Sequence, residues 1–326
     1  MILICGEALI DMVRIAAPGG GEAFLPLPGG SPFNTAVAVG RLGVGIQFMG
    51  RLSKDLFGEM LLERLRENNI RSDFLVLSDQ KTTLAFVKLE KGREPQYSFY
   101  TADTADRSFS MEDLRAVMPE NRVPPEIHGI IFGSIAMTME PAASTIESFV
   151  LREGARTDSG APVISFDPNI RPFMIQDRAA YVKRFEKWIG ASTIAKISEA
   201  DFDFIYPGLG LEKSMERVLA AGVRLGAATL GPEGALALLR RNDGGILKAR
   251  APVVDLPVAD TIGAGDTFHG AFLSWFEIRG KLSRRSLGEL SEEELREALF
   301  FANKAASIVC SRQGAEPPTL REVEDL

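Results

Sequence analysis

The chain has 326 residues, 45% of them hydrophobic and 25% charged, enough to bury a substantial core without disulfides or metals. Its formal net charge of −7 argues against a general nucleic-acid binder, which carries a basic surface. The two cysteines, Cys5 and Cys310, sit in separate apolar stretches and read as reduced, buried thiols of a cytoplasmic protein. The start, M-I-L-I-C-G-E, lacks a basic region ahead of a long apolar run, so no secretory signal is expected, and no apolar run approaches a membrane span.

In chain order, short apolar runs alternate with helical patterns. Strands are predicted at residues 2–5, 46–51, 129–135, 163–167 and 226–230, and helices at 32–42, 56–68, 141–154, 178–190, 211–221, 264–279 and 292–309. This alternation predicts an α/β fold whose mainly parallel sheet is covered by helices on both faces, in one domain spanning residues 1–326. Two segments, 8–24 and 82–109, break the rhythm. They read as polar-alternating strands, the second a hairpin from Thr83 to Tyr100 turning at Lys91-Gly92-Arg93-Glu94. Together they suggest a small discontinuous β lid, approximately 10–28 and 82–108, although a functionless surface hairpin fits the same pattern. An exposed apolar face on such a lid would imply a homodimer.

Four stretches carry chemistry. In D-T-I-G-A-G-D-T-F at 260–268, Gly263 and Gly265 loosen the backbone where an apolar helix begins. Amides at a helix start point together and meet the positive end of its dipole, a setting for a phosphoryl group. Asp266 falls in the first turn, where the dipole should keep it ionised. A carboxylate beside an anion site makes sense if it faces an attacking hydroxyl and takes its proton. Taken alone, the stretch equally fits a helix with an ordinary acidic first turn.

In P-G-G-S-P-F-N-T-A at 28–36, a Gly-Gly turn leads to Ser31 as N-cap and Pro32 at the first helical position. Asn34 beside the Gly-Gly backbone suits sugar hydroxyls, but a plain capped helix reads the same. In G-E-A-L-I-D at 6–11, Asp11 is read as ending the first strand, where open α/β sheets bind ligands. T-L-G-P-E-G at 229–234 is either a tight loop for a nucleotide or a simple hairpin turn.

Other motifs are set aside. G-L-G-L-E-K-S at 208–214 fails the P-loop spacing, because Glu212 stands where the second glycine belongs. His128 and His269 lack a companion His or Cys cluster, so no zinc site is indicated, and His269 reads as a packing residue. Trp188 and Trp275 fall on apolar helix faces and are expected in the core. Ser291, before an acidic turn, is expected to cap a helix.

With these residues in view, the chain resembles the ribokinase, or PfkB, family of carbohydrate kinases. Both family signatures are present, Gly-Gly-x-x-x-Asn at 29–34 and D-T-x-G-A-G-D at 260–266, with intermediate motifs in family order. G-E-A-L-I-D, F-Y-T-A-D-T-A-D-R, F-D-P-N-I-R-P, K-I-S-E and S-R-Q-G-A-E-P-P-T resemble the bacterial fructokinase subgroup. The resemblance implies a Rossmann-like, ribokinase-like sheet with a β lid, and transfer of phosphate from ATP to O6 of fructose. It implies Asp266 as base and Gly263, Ala264 and Gly265 as anion hole. Asp11, Gly30, Asn34, Phe99, Arg107 and Arg171 would meet the sugar. Thr229, Gly231, Gly234 and Asn303 would line the nucleotide.

Lys196 and Glu199 match the family's N-x-x-E position, with lysine replacing the asparagine. The lysine would reach phosphate directly, and Glu199 would organise Mg2+ through water. Asp260 is in place for the K+ that some relatives bind, while Pro318 stands where ribokinase has a helpful serine, so K+ activation is left open. A 2-keto-3-deoxygluconate kinase is the alternative, with Arg107 or Arg171 meeting its carboxylate. A non-catalytic sugar sensor would need no base and anion hole together.

Overall fold

The computed structural model describes residues 1–17, 19–88, 96–118, 120 and 122–326, with the side chains of residues 87, 88, 96 and 97 left out. The expected turn at Lys91-Gly92-Arg93-Glu94 lies outside the described residues.

The main sheet is built from β1 (Ile2–Cys5), β4 (Ile46–Ser53), β5 (Arg71–Ser78), β8 (Gly129–Gly133), β9 (Val163–Asp167), β10 (Ile194–Ser198), β11 (Leu225–Thr229), β12 (Ala235–Arg240) and β13 (Ile246–Ala251). Its order is β13-β12-β11-β10-β9-β8-β1-β4-β5, and every pair from β11 to β5 is parallel. Only β12 and β13 run antiparallel, at one edge. The second sheet contains β2 (Leu9–Ala16), β3 (Glu22–Gly29), β6 (Thr83–Lys88) and β7 (Gln96–Tyr100), in the order β3-β2-β6-β7. The two segments that broke the sequence rhythm therefore pair with each other, through the parallel β2–β6 contact.

The helices are α1 (Ser31–Arg41), α2 (Leu56–Glu67), α3 (Met111–Val117), α4 (Ala142–Gly154), α5 (Arg178–Ala191), α6 (Glu199–Ile205), α7 (Leu211–Ala220), α8 (Ala264–Ile278), α9 (Arg284–Leu287), α10 (Glu292–Cys310) and α11 (Leu320–Glu324). Apolar side chains are buried on both faces of the sheet, as a helix-covered parallel sheet requires. Along β1, Ile2 and Ile4 join one core with Phe268, Phe272 and Leu299, from α8 and α10. Leu3 and Cys5 join the opposite core with Phe149, Phe185 and Trp188, from α4 and α5. Trp188 and Trp275 are both fully buried, as expected. Ser291 caps α10 in a reciprocal box with Glu294.

Several expectations shift. β10 escapes an apolar-run reading because Lys196 sits inside it, buried, where an ion pair partner accommodates its charge. The stretch after Thr229 is a true hairpin: Leu230 N–H donates to Gly234 O at 2.9 Å, and β12 returns antiparallel to β11. Asp11 does not end the first strand. β1 stops at Cys5, Gly6 turns the chain with φ 156°, and Asp11 is the third residue of β2. Gly6 admits no side chain, since a Cβ there would sit 2.3 Å from Pro32. Cys5 is buried, but Cys310 is only partly so, and both thiols are free. Among the described residues no helix is long and apolar enough to cross a membrane.

Candidate active site

Ligand crevices in open α/β sheets lie beyond the carboxyl ends of the strands. Here the ends of β1, β8 and β9, the starts of α1 and α8, and the small sheet enclose a cavity of about 210 Å³. Nine residues singled out in the sequence line it together: Asp11, Gly30, Asn34, Phe99, Arg171, Gly263, Ala264, Gly265 and Asp266. The small sheet's alternation explains how it contributes. Leu27, Asp11, Ala85 and Phe99 occupy one register row, on the face toward the cavity, while Met12 and Phe86 belong to the other face.

The loop into α8 is shaped by Gly263, which adopts the left-handed conformation (φ 75°) as N-cap. A Cβ at this position would also press to 2.8 Å from Ala315 Cβ. The helix then runs for 15 residues, and its first N–H groups have no intrahelical acceptor. Those amides and the dipole end face the cavity through Ala264 and Gly265.

Asp266 is held from two elements. Ser31 Oγ donates to Oδ1 at 2.7 Å, Asn34 Nδ2 donates to Oδ2 at 2.9 Å, and Asn169 Nδ2 reaches Oδ1 at 3.4 Å. Ser31 can do this because it is not the N-cap. Gly30 is, at φ 102°, so Ser31 becomes the first helical residue and its hydroxyl turns toward Asp266. The helix dipole is not the one influence on the charge of Asp266. Burial pushes its carboxyl above the usual range, against the pull of the Ser31 and Asn34 hydrogen bonds, with Asp167 adding to the rise and Lys196 opposing it. Asp11 is likewise raised, to about 7, by burial and then by the Asp266 charge, with Arg171 opposing. It lies directly over Gly29, where a Cβ would fall 2.2 Å from Oδ2.

Some residues of the site were missed or undervalued. Glu7 lines the cavity, accepts from Ala136 N–H at 3.0 Å and is raised to about 7, chiefly by burial. Ser134 and Asn169 also line it, both at positive φ. The signals were present, in G-E-A-L-I-D for Glu7 and in F-D-P-N-I-R-P for Asn169.

Other predicted residues lie elsewhere. Arg107 is not in the cavity wall; its Nε donates to Glu140 O at 3.3 Å. Lys196 is buried beside Gly265 and outside the cavity lining, its Nζ 2.9 Å from Asp167 Oδ2, so in this arrangement its ammonium is engaged by a carboxylate. His269 is fully buried and bonded through Nε2 to Ser165 Oγ at 2.7 Å, in keeping with a packing role. Glu199 is exposed in the first turn of α6, beside Thr229 at the end of the neighbouring β11. Gly231 and Gly234 form the β11–β12 turn, both at positive φ. Asn303 is buried, and its Nδ2 donates to Ala251 O and Pro252 O at 2.9 and 3.0 Å, which fixes the exit of β13. Asp260 joins two loops: Oδ1 accepts from Ile262 N–H at 3.0 Å and Oδ2 from Gly314 N–H at 3.1 Å.

This geometry agrees with what the chain is similar to. A fructokinase of Rhizobium leguminosarum bv. trifolii is 35% identical over 300 residues, covering 91% of this chain and 86% of its own. Fructokinase-1 of Oryza sativa subsp. japonica is 31% identical, covering 100% of this chain and 96% of its own. The crystal structure of a fructokinase with bound ATP from Xylella fastidiosa superposes with a TM-score of 0.85 at 28% identity, covering 99% of this chain and 97% of that one. The profile of the pfkB family carbohydrate kinases matches residues 1–321, and the chain belongs to that family.

Proposed function

We propose that this chain is an ATP-dependent fructokinase that converts D-fructose to D-fructose 6-phosphate. The observation that carries the reading is one cavity lined together by Asp266, the α8 N-terminal residues Gly263, Ala264 and Gly265, and Asp11. Relatives similar along most of this chain carry the fructokinase name, which supports the choice of sugar.

The attacking hydroxyl sits against Asp266, which orients it and accepts its proton. The α8 amides at Gly263, Ala264 and Gly265 stabilise the charge on the group in transfer. Asp11 and Asn34 hold the other hydroxyls, with Gly30, Phe99 and Arg171 around the ring. Thr229, Gly231 and Gly234, at the carboxyl edge of β11, are the ledge for the nucleotide, with Asn303 supporting it from beneath. Magnesium fits as a metal that keeps its waters and phosphate oxygens, with the exposed Glu199 carboxylate as its protein partner; when bound it neutralises phosphate charge. Asp260, with both oxygens accepting backbone amides, acts as a loop clamp, and K+ is not required by this reading.

An acid sugar is disfavoured. Three carboxyl groups, Glu7, Asp11 and Asp266, line the cavity with one guanidinium, Arg171, so the lining offers an acid substrate a single cationic side chain among acidic ones. A coupled ADP-release panel tests the choice: fructose should exceed 2-keto-3-deoxygluconate and ribose in kcat/KM, and the reverse ranking defeats it.

The small sheet is read as a lid on a single domain, since Asp11 and Phe99 reach the cavity from it and Phe99 packs on Phe173 of the body at 5.7 Å. Closure would exclude water, the competing acceptor. Its outer face carries Phe24, Phe86 and Tyr100 in edge-to-face contact, and Phe24 and Tyr100 are exposed. A homodimer through this face is the proposed state, in the cytoplasm; sedimentation velocity of the wild type against Tyr100→Lys checks it.

A further inference from the structure

Behind the α8 turn lies a buried polar group with no part in the chemistry described so far. It consists of Asp167 at the end of β9, Lys196 in β10, Asp201 in α6 and His269 in α8, none more than 6% exposed. Burying unpaired charge is costly, so the group needs an explanation.

Two of its carboxylates shape the loop after β9. Asp167 Oδ1 accepts from Asn169 N–H at 3.2 Å, and Asp201 Oδ1 accepts from Ile170 N–H at 2.8 Å. Asn169, at φ 37°, then points Nδ2 at Asp266, while Arg171 follows into the cavity. The loop is thus held in place by negative charge set close to Asp266. One ammonium offsets it. Lys196 Nζ donates to Asp167 Oδ2 at 2.9 Å and lies beside Gly265, where an added Cβ would sit 3.0 Å from it. Burial opposes the charge on Lys196, and Asp167, with smaller contributions from Asp201 and Asp266, more than offsets this, so the ammonium is favoured. His269 contributes no charge. Burial pushes its ring down to about 3, and Nδ1 stays 3.9 Å from Asp167 Oδ2.

We propose that Lys196 is a positioning residue that cancels the charge of the loop-holding Asp167, so that Asp266 ionises beside the α8 N-terminus without the added repulsion of an unpaired Asp167. This rests on the reading of Asp266 as the base. The groups facing Asp266 are Ser31 and Asn34 from α1, Asn169 and Asp167 from β9 and its loop, Lys196 from β10, and Asp11 from β2 with Arg171 beside it. Of these, Lys196 is the cation buried within the fold, whereas Arg171 borders the open cavity. The role differs from a contact to phosphate, because Lys196 is buried, is committed to Asp167 and is not among the residues that line the cavity.

The test is the pH profile of kcat/KM for fructose in wild type, Lys196→Met, Lys196→Gln, the double variant Lys196→Met/Asp167→Asn, and Asp266→Asn. Removing an opposite charge at this range should move the midpoint of the acid limb up by about one pH unit or more. Both single Lys196 variants should show it, so either suffices if the other does not fold. The double variant removes both charges and should return the midpoint toward wild type, a reversal that mere structural damage would not produce. An unmoved limb in the folded Lys196 variants, or no return in the double variant, overturns the proposal alone. An unchanged acid limb in the residual activity of Asp266→Asn overturns both the proposal and the base assignment.

Discussion

Gly29→Ala probes sugar binding without touching a polar group. Gly29 ends β3, pairs with Leu9 and needs no positive φ, so alanine meets no backbone penalty. The new Cβ would lie 2.2 Å from Asp11 Oδ2, where contacts under 3.0 Å do not persist, so the carboxylate must retreat by about 1 Å. Asp11 is assigned two hydroxyl hydrogen bonds, and bonds to a charged group contribute about 1.5–3 kcal/mol each. A displaced carboxylate keeps part of that, leaving a loss of about 2 kcal/mol, or roughly 30-fold in affinity. Steady-state kinetics should therefore show KM for fructose raised about 30-fold, with KM for ATP within about twofold and kcat reduced less than KM. Circular dichroism and a thermal melt establish that the variant folds. A folded Gly29→Ala enzyme with KM for fructose within about threefold of wild type would refute the placement of Asp11 on the sugar.

Three further outcomes are expected. Asp266→Asn should lower kcat by about 10²–10⁴-fold while calorimetry still detects fructose, because the amide can accept from Asn34 and donate to Ser31; near-normal turnover defeats the base assignment. Asp11, raised to about 7, favours the folded state when protonated, so its contribution is complete below about pH 4 and is lost as pH rises through 7. Asp11→Asn should accordingly raise the melting temperature by about 2–5 °C at pH 8 and leave it unchanged at pH 4, and equal shifts at both pH values would count against the burial argument. Gly263→Ala combines a left-handed φ of 75° with a Cβ 2.8 Å from Ala315 Cβ, so it should cost about 1–2 kcal/mol in the backbone and displace the anion turn. A drop in kcat of about 100-fold checks it, and full activity would mean the turn tolerates movement.

Much of this molecule could be read before folding. Short apolar runs marked β1 and β9 to the residue, because strands buried on both faces read as near-continuous hydrophobic stretches. The Gly-x-Gly-Asp helix start was legible because few backbones other than a glycine-led turn expose amides in this way. Local pattern also identified the two odd segments as strands, yet it said nothing of their pairing. The β2–β6 contact, across some seventy residues of chain, is what brings Asp11 and Phe99 over one cavity.

Tertiary structure alone decided the charge states and the partners. The dipole argument for Asp266 is local, whereas burial in the packed site acts the other way and raises its carboxyl. Lys196 was read as a cation able to reach phosphate. It is instead enclosed in β10 and committed to Asp167, because β9 and β10 are neighbours in the sheet though 29 residues apart in the chain. Sequence fixes which residues can carry charge and where the backbone can bend. Desolvation and the distances between charges depend on the packed whole, and they determine which carboxylate in this site can act.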